Sequence, residues 1–258
     1  MAEPRGRGAS ARRPARLGRE ELHGNHVIRE ALRAQRRPLH RLRLRVGDEN
    51  AEVEALRELA ERAGVPCVED ERIADAPAGQ ARGAILEAGP LPQLSLTELM
   101  GSRPKHGWRL VALDGVEDPQ NVGAIARVAE VVGVDALILT LRRAPPLSAA
   151  VSRASAGAVE WLPVARVQNL AKALETLKAA GVWSFGADVA ADNSLYEIPE
   201  RWLGGDRVLV LGAEDRGLRE GVRRSVDFRV QIPTFGRISS LNVATAAAVL
   251  LFEFRRRC

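Results

Sequence analysis

The sequence predicts an α/β protein: a large domain with a mainly parallel sheet, preceded by a small α/β unit. Three observations lead there. From residue 107 onward, short apolar runs alternate with segments of helical spacing, the rhythm of buried parallel strands joined by helices. A stretch near residues 89–106 carries Pro90, Pro92, Gly101 and Pro104 and breaks that rhythm from what precedes it. The part before the break has helix and strand patterns of its own. The expected boundaries are a disordered basic tail over 1–20, a substrate-binding domain over 21–95, a linker over 96–106 and the main domain over 107–258.

The elements follow in order. The first twenty residues are rich in Arg, Gly and Pro and nearly lack apolar side chains, a composition that cannot form a core. His26 to Ala34 has helical spacing, with Val27, Ala31 and Leu32 on one side. Leu39 to Val46 alternates Leu with Arg, the period of a half-exposed strand. Arg41, Arg43 and Arg45 form a basic row on one face of it, either turned to RNA or lining a solvated edge. Glu52 to Ala63 is helical and stops at Gly64, and Val65 to Val68 reads as a second short strand. Beyond the linker, strands are expected at Arg109–Leu113, Ala136–Thr140, Val182–Ala187, Arg207–Leu211 and Phe228–Ile232. Helices are expected at about 120–132, 147–157, 168–180, 217–224 and 240–256.

Composition narrows the function. The 258 residues carry a formal net charge of +5 and a pI near 10.0, which suits a polyanionic partner. Aromatics are 4% with one Tyr, so recognition by an aromatic sheet face is disfavoured and phosphate and sugar contacts are expected. Cys67 and Cys258 form no CxxC and have no neighbouring His, so neither a metal site nor a disulfide framework is expected. No apolar run reaches membrane-spanning length, and Val243 to Phe252 reads as a buried helix. The expected setting is the cytoplasm. The acid-poor N-terminus superficially resembles a mitochondrial transit peptide, but Pro4, Pro14 and the lack of an amphipathic stripe argue against it.

Three segments combine turn residues with polar side chains at the end of a strand. Leu113-Asp114-Gly115-Val116-Glu117-Asp118-Pro119-Gln120-Asn121 leads into a helix whose start Asp118 and Pro119 mark. Asn121 and Arg127 are six residues apart, roughly 600° of helical rotation, so they do not share a face if both are helical. Residue by residue, Asn121 can be a cap and Arg127 a surface charge. Val208 to Leu218 runs from an apolar strand into an acidic loop flanked by Gly212 and Gly217, where backbone can approach a ligand closely. Ile232 to Ala244 leaves a strand at Pro233 and reaches Ser239-Ser240-Leu241-Asn242 before a long apolar helix, for which Ser239 or Ser240 is the expected cap.

In their order and spacing these segments closely resemble the SpoU (TrmH-like) family of RNA 2′-O-ribose methyltransferases, within the SPOUT superfamily, and most of all its 23S rRNA guanosine branch. The likeness covers about residues 21–256, with Pro146 to Glu160 also similar. It implies a SPOUT α/β fold with a deep C-terminal trefoil knot, a homodimer, and S-adenosyl-L-methionine as methyl donor. Carried over position by position, Asn121, Arg127, Glu214, Ser240 and Asn242 match the polar catalytic set. Gly212, Ile232, Leu241 and Gly217 match the cofactor site. The small domain, beginning Leu22-His23-Gly24-Asn25, resembles a ribosomal-protein-like RNA-binding unit, in which Arg29, Arg41, Arg43 and Arg45 are the candidate RNA contacts.

The implied function is methyl transfer to a ribose 2′-OH, with a guanosine of 23S rRNA as the expected target. A tRNA substrate and a non-catalytic RNA-binding paralogue are the alternatives. A Rossmann-type enzyme is disfavoured because no GxGxxG follows the first strand. Two departures stand out: Ala81-Arg82-Gly83 replaces the His-Gln-Gly of many relatives, and Asp215 stands where Gly is common, with a tighter loop as the expected effect.

Overall fold

The computed structural model describes residues 18–73 and 83–257. The basic tail read over residues 1–20 therefore lies outside the description except for its last three residues, and so do Ala81, Arg82 and Cys258.

The N-terminal unit comprises β1 (Glu20–His23), α1 (Asn25–Ala34), β2 (Leu39–Leu44), α2 (Ala51–Arg62), β3 (Cys67–Glu69) and β4 (Ala84–Ala88). Its sheet runs β1-β4-β2-β3. β4 lies antiparallel to both β1 and β2, and β2 is parallel to β3. Leu22, Ile28, Leu32, Leu42, Leu44, Leu56 and Leu86 form its buried core. β1 and β4 are strands that periodicity does not reveal. In Ala-Ile-Leu-Glu-Ala the residues Ala84, Leu86 and Ala88 face the core, and buried Ile85 beside Glu87 on the other face breaks the alternation. β2 is also interior, so the Arg41, Arg43 and Arg45 row does not lie on a sheet edge. β2 ends at Leu44, two residues short of Val46. The Arg45 N–H then bonds the Gly83 carbonyl.

The stretch read as a linker is anchored chain. Leu91 is buried in the core of the large unit. The Leu94 N–H donates to the Val164 carbonyl, and its own carbonyl accepts from the Arg166 N–H. Residues 96–106 contain α3 (Leu96–Met100), started by a reciprocal capping box between Ser95 and Glu98.

The large unit holds β5 (Arg109–Asp114), α4 (Pro119–Val131), β6 (Ala136–Thr140), α5 (Ala149–Ala154), β7 (Val164–Val167) and α6 (Leu170–Ala179). Then come β8 (Trp183–Ala187), β9 (Asn193–Ser194), β10 (Arg207–Gly212), α7 (Glu220–Ser225), β11 (Phe228–Gln231) and α8 (Val243–Arg256). The seven strands are ordered β7-β6-β5-β10-β8-β11-β9, and every neighbouring pair is parallel. α4 and α8 cover one face, where Val122, Ile125, Ala247 and Leu250 join the core. α6 and α7 cover the other, through Leu170, Leu174, Leu177 and Val222. β5 and β10 sit centrally and are apolar nearly throughout, as strands covered on both faces must be. All the expected strands and helices of this unit form, with bounds shifted by a few residues. β7 and β9 were not foreseen.

The two units touch through a buried polar contact. Arg37 and Glu160, with side chains 0% and 1% exposed, are 3.6 Å apart. The Ser152 hydroxyl donates to Glu160 (2.7 Å), and the Trp161 Nε1–H donates to Glu30 (2.9 Å). Burial pushes the Glu160 carboxyl up from its ordinary value, against the pull of Arg37.

Candidate active site

The parallel sheet sends the C-terminal ends of all its strands to one edge, and open α/β sheets bind their ligands there. β5, β10 and β11 each end in one of the three segments singled out in the sequence. Asp118 caps α4 by accepting from the Gln120 N–H, and Pro119 opens the helix. That places Asn121 in the first turn. Glu214 rides the loop after β10, and Asn242 is the residue that caps α8.

These three side chains meet. The Asn242 Nδ2 donates to Asn121 Oδ1 at 3.0 Å and to Glu214 Oε1 at 2.9 Å. The Asn121 Nδ2 donates to Glu214 Oε2 at 3.4 Å. The Asn242 Oδ1 meanwhile accepts from the Ala244 and Thr245 N–H groups. Asn242 thus corrects the expected cap: α8 starts at Val243, and neither Ser239 nor Ser240 caps it. The side chain that begins the last helix is the one that joins the other two motifs.

A cavity of about 480 Å³ opens beside this trio. Gly212, Gly217, Ile232, Ser240 and Leu241 all line it, together with Glu214. The β10 loop is a tight turn, closed by Gly217 N–H to Ala213 O (2.8 Å) and Ala213 N–H to Gly217 O (3.1 Å). Gly217 has φ 63. A β-carbon on Gly212 would fall 2.2 Å from the Gly217 carbonyl carbon, so only glycine permits the turn. The Asp215 carboxylate is exposed and engages the Arg216 guanidinium, which with backbone N–H groups of the same turn holds it below the ordinary carboxylate range.

Arg127 stands apart. It is exposed, and it has no ion pair or side-chain hydrogen bond among the described residues. Six residues along α4 carry it about 9 Å down the axis from Asn121 and roughly 120° around it. The Glu214 carboxylate is held by the two asparagines and not by Arg127.

Two further groups were not singled out in the sequence. Asp114, fully buried at the end of β5, accepts from the backbone N–H (2.8 Å) and Nε (2.6 Å) of Arg219 and so ties down the far end of the β10 loop. Asp188, on the cavity wall, accepts from the Ala190 N–H, Arg223 and Arg229. Burial raises its carboxyl, but those donors outweigh it and hold it below the ordinary range. An Asp just past an apolar strand is the sequence signal that marks both.

In the N-terminal unit the four candidate RNA contacts differ in freedom. Arg43 is held by Asp70 (2.8 Å) and Glu21 (2.7 Å), and burial, which lowers its pKa, is outweighed by those acids. Arg41 is exposed and lies 3.9 Å from Glu87. Arg45 is exposed, and Arg29 is half-buried beside His26. Among the described residues, no group of three or more His, Cys, Asp or Glu side chains is placed to hold a metal ion. Among the described residues, no helix is long and apolar enough to cross a membrane.

Comparison with known proteins fits this geometry. Residues 109–252 match the SpoU rRNA Methylase family. The chain is 36% identical to the 23S rRNA (guanosine-2′-O-)-methyltransferase RlmB of Pseudomonas aeruginosa, over 92% of this chain and 96% of that protein. The AdoMet-bound rRNA methyltransferase of Sinorhizobium meliloti superposes with a TM-score of 0.75 at 26% identity, covering 92% of this chain and 87% of that one. The AviRb methyltransferase of Streptomyces viridochromogenes shares the fold, with a TM-score of 0.77 at 24% identity over 93% and 91% of the two chains.

Proposed function

The chain belongs to the SpoU rRNA methylase family, and from that premise we infer that it transfers a methyl group from S-adenosyl-L-methionine to a ribose 2′-OH of 23S rRNA, on a guanosine. The single observation that carries this reading is the meeting of Asn121, Glu214 and Asn242, of which Glu214 lines the cavity. Three segments far apart in sequence converge on one edge of the sheet.

The cavity fits the cofactor. Its volume lies in the range of small-molecule sites. Apolar Ile232 and Leu241 offer surface to an adenine ring, and the bare backbone at Gly212 permits close approach. The Glu214 carboxylate complements a cation, whereas Asp188 is already paired with Arg223 and Arg229. When bound, the cofactor supplies an electrophilic methyl on a cationic sulfonium. The chain's own residues orient the attacking sugar. Asn121 and Asn242 hold Glu214 in one orientation, leaving it to accept from a ribose hydroxyl or a backbone donor, and Ser240 borders the same space. Arg127 is assigned to the phosphate beside the target ribose, where a guanidinium stabilises charge as the alkoxide develops. It is not assigned as the base, because guanidinium is not deprotonated in proteins.

The assembly we propose is a homodimer in which Arg127 serves the partner's site. Exposed Val131 on α4 and Phe252 on α8 support an apolar contact on that flank. The threading of the segment after β11 as a knot belongs to the same proposal, as do the cytoplasmic location and the domain limits 21–95 and 107–258. Arg29, Arg41 and Arg45 are assigned to RNA backbone, with Arg43 engaged in the fold. Mass-spectrometric mapping of ribose methylation in ribosomal RNA, with and without the gene, tests the activity. Loss of one 2′-O-methylguanosine of 23S rRNA is expected. An unchanged rRNA map, or a loss confined to tRNA, overturns the assignment.

A further inference from the structure

The sheet edge that carries the site has a second feature that the trio does not use. Leu139, Leu113 and Leu211 lie at one level across β6, β5 and β10. With strands about 4.8 Å apart, the loop leaving β6 begins about 10 Å from the loop carrying Glu214. Residues 141–146 of that loop read Leu-Arg-Arg-Ala-Pro-Pro. Arg142 and Arg143 are both exposed, and neither side chain has an ion pair or hydrogen bond among the described residues.

The loop is braced from beneath, and not by its own arginines. Arg166 of β7 donates to Thr140 O (3.0 Å), to Pro145 O (2.7 Å) and to Gln93 Oε1 (2.8 Å). The Thr140 hydroxyl donates to Arg142 O. Arg143 has φ 60, a left-handed conformation that residues with a β-carbon rarely take. A half-buried guanidinium spent on fixing a loop, and a strained backbone within it, keep two cations without a described partner exposed on the sheet edge that carries the site. Neither cation contributes to the fold. Planar guanidinium groups match phosphate oxygens in a bidentate manner.

We propose that Arg142 and Arg143 form a second RNA-contact site, gripping phosphates next to the target nucleotide so that its ribose is delivered to the trio. The proposal rests on the methyltransferase reading. In this reading the N-terminal unit supplies a separate RNA contact, and this loop sets the register of the strand at the reacting centre.

The test compares the parent full-length protein with Arg142→Ala, Arg143→Gly, Arg143→Lys and the Arg142→Ala/Arg143→Gly double variant. Glycine tolerates the backbone at position 143, so a defect there reports lost charge and not a distorted loop. Affinity for an rRNA transcript is measured at several salt concentrations, with KM for RNA and calorimetry with S-adenosylmethionine. Each lost arginine should lower the slope of log K against log [salt] by about 1. The double variant should raise KM for RNA by about tenfold at low salt. Cofactor affinity should stay unchanged, and Arg143→Lys should keep most of the slope. An unchanged slope overturns the proposal. So does a shift to monomer on size-exclusion chromatography, which would place these arginines at a subunit contact. If the parent protein methylates no rRNA, the activity reading falls, while the binding slopes still decide the role of the arginine pair.

Discussion

Asn242 has two roles, capping α8 and bridging to Glu214 and Asn121, and substitutions can pull them apart. Asn242→Ser keeps a competent cap, because Ser and Asn rank alike at that position. It removes the amide donor that reaches Glu214 at 2.9 Å and Asn121 at 3.0 Å. A hydrogen bond to a charged group is worth about 1.5–3 kcal/mol. Asn242 and Glu214 are both exposed, so the lower end applies, about 1.5 kcal/mol, or close to tenfold in rate. Asn242→Ala also loses the cap, about 1 kcal/mol, which lowers Tm by about 2–4 °C in a domain of this size. Asn242→Asp keeps the cap but sets a second carboxylate against Glu214. Its rate should fall further and partly recover at lower pH, where the pair can share a proton. Calorimetric unfolding and single-turnover methylation of an rRNA transcript read the two roles separately. The expected pattern is a Ser variant with near-parental Tm and about tenfold slower turnover. A Ser variant with full turnover would reduce Asn242 to a helix cap and refute the reasoning.

Arg127→Ala should leave Tm and cofactor affinity nearly unchanged, since the side chain is exposed without a described partner. Turnover should drop by about 10²-fold or more, and retained turnover would remove Arg127 from the chemistry. Gly212→Ala drives a β-carbon into the Gly217 backbone at 2.2 Å. A loss of about 1–3 kcal/mol by denaturant unfolding is expected, with weakened cofactor binding by calorimetry. Glu160→Gln isolates the buried contact between the units. Burial raises the folded carboxyl above its ordinary value near 4.5, so the parent is most stable, relative to a non-titrating variant, below that value and loses this advantage as pH rises through it. The variant's deficit in urea unfolding should therefore be smaller at pH 7 than at pH 4, and a deficit that grows with pH would contradict it.

Much of this was legible in the chain because it is written locally. The apolar runs Arg109–Leu113 and Arg207–Leu211 need no partner to be recognised as buried strands, and Asp118 with Pro119 marks a helix start wherever it folds. Ser95-Leu96-Thr97-Glu98 is a capping-box helix start inside the stretch read as a linker, where the surrounding Pro and Gly residues mask it. Ala84–Ala88 is hard to read because apolar Ile85 beside Glu87 on its second face breaks the alternation. The basic row on β2 was visible as three arginines, but not the acids from β1, β4 and the turn after β3 that engage Arg43. Asn121, Glu214 and Asn242 could be picked out one by one and ranked by resemblance. That an asparagine side chain caps α8 and at the same time clasps a carboxylate 28 residues earlier is a property of strand order. Asn121 and Glu214, on the segments that follow β5 and β10, are 93 residues apart and become neighbours only because those strands pair in the sheet. Local residue chemistry determines which positions are polar and where the chain turns. Tertiary structure decided which of those turns share an edge, because hydrogen-bonded register between distant strands is set by burial of the whole sheet and by no local pattern.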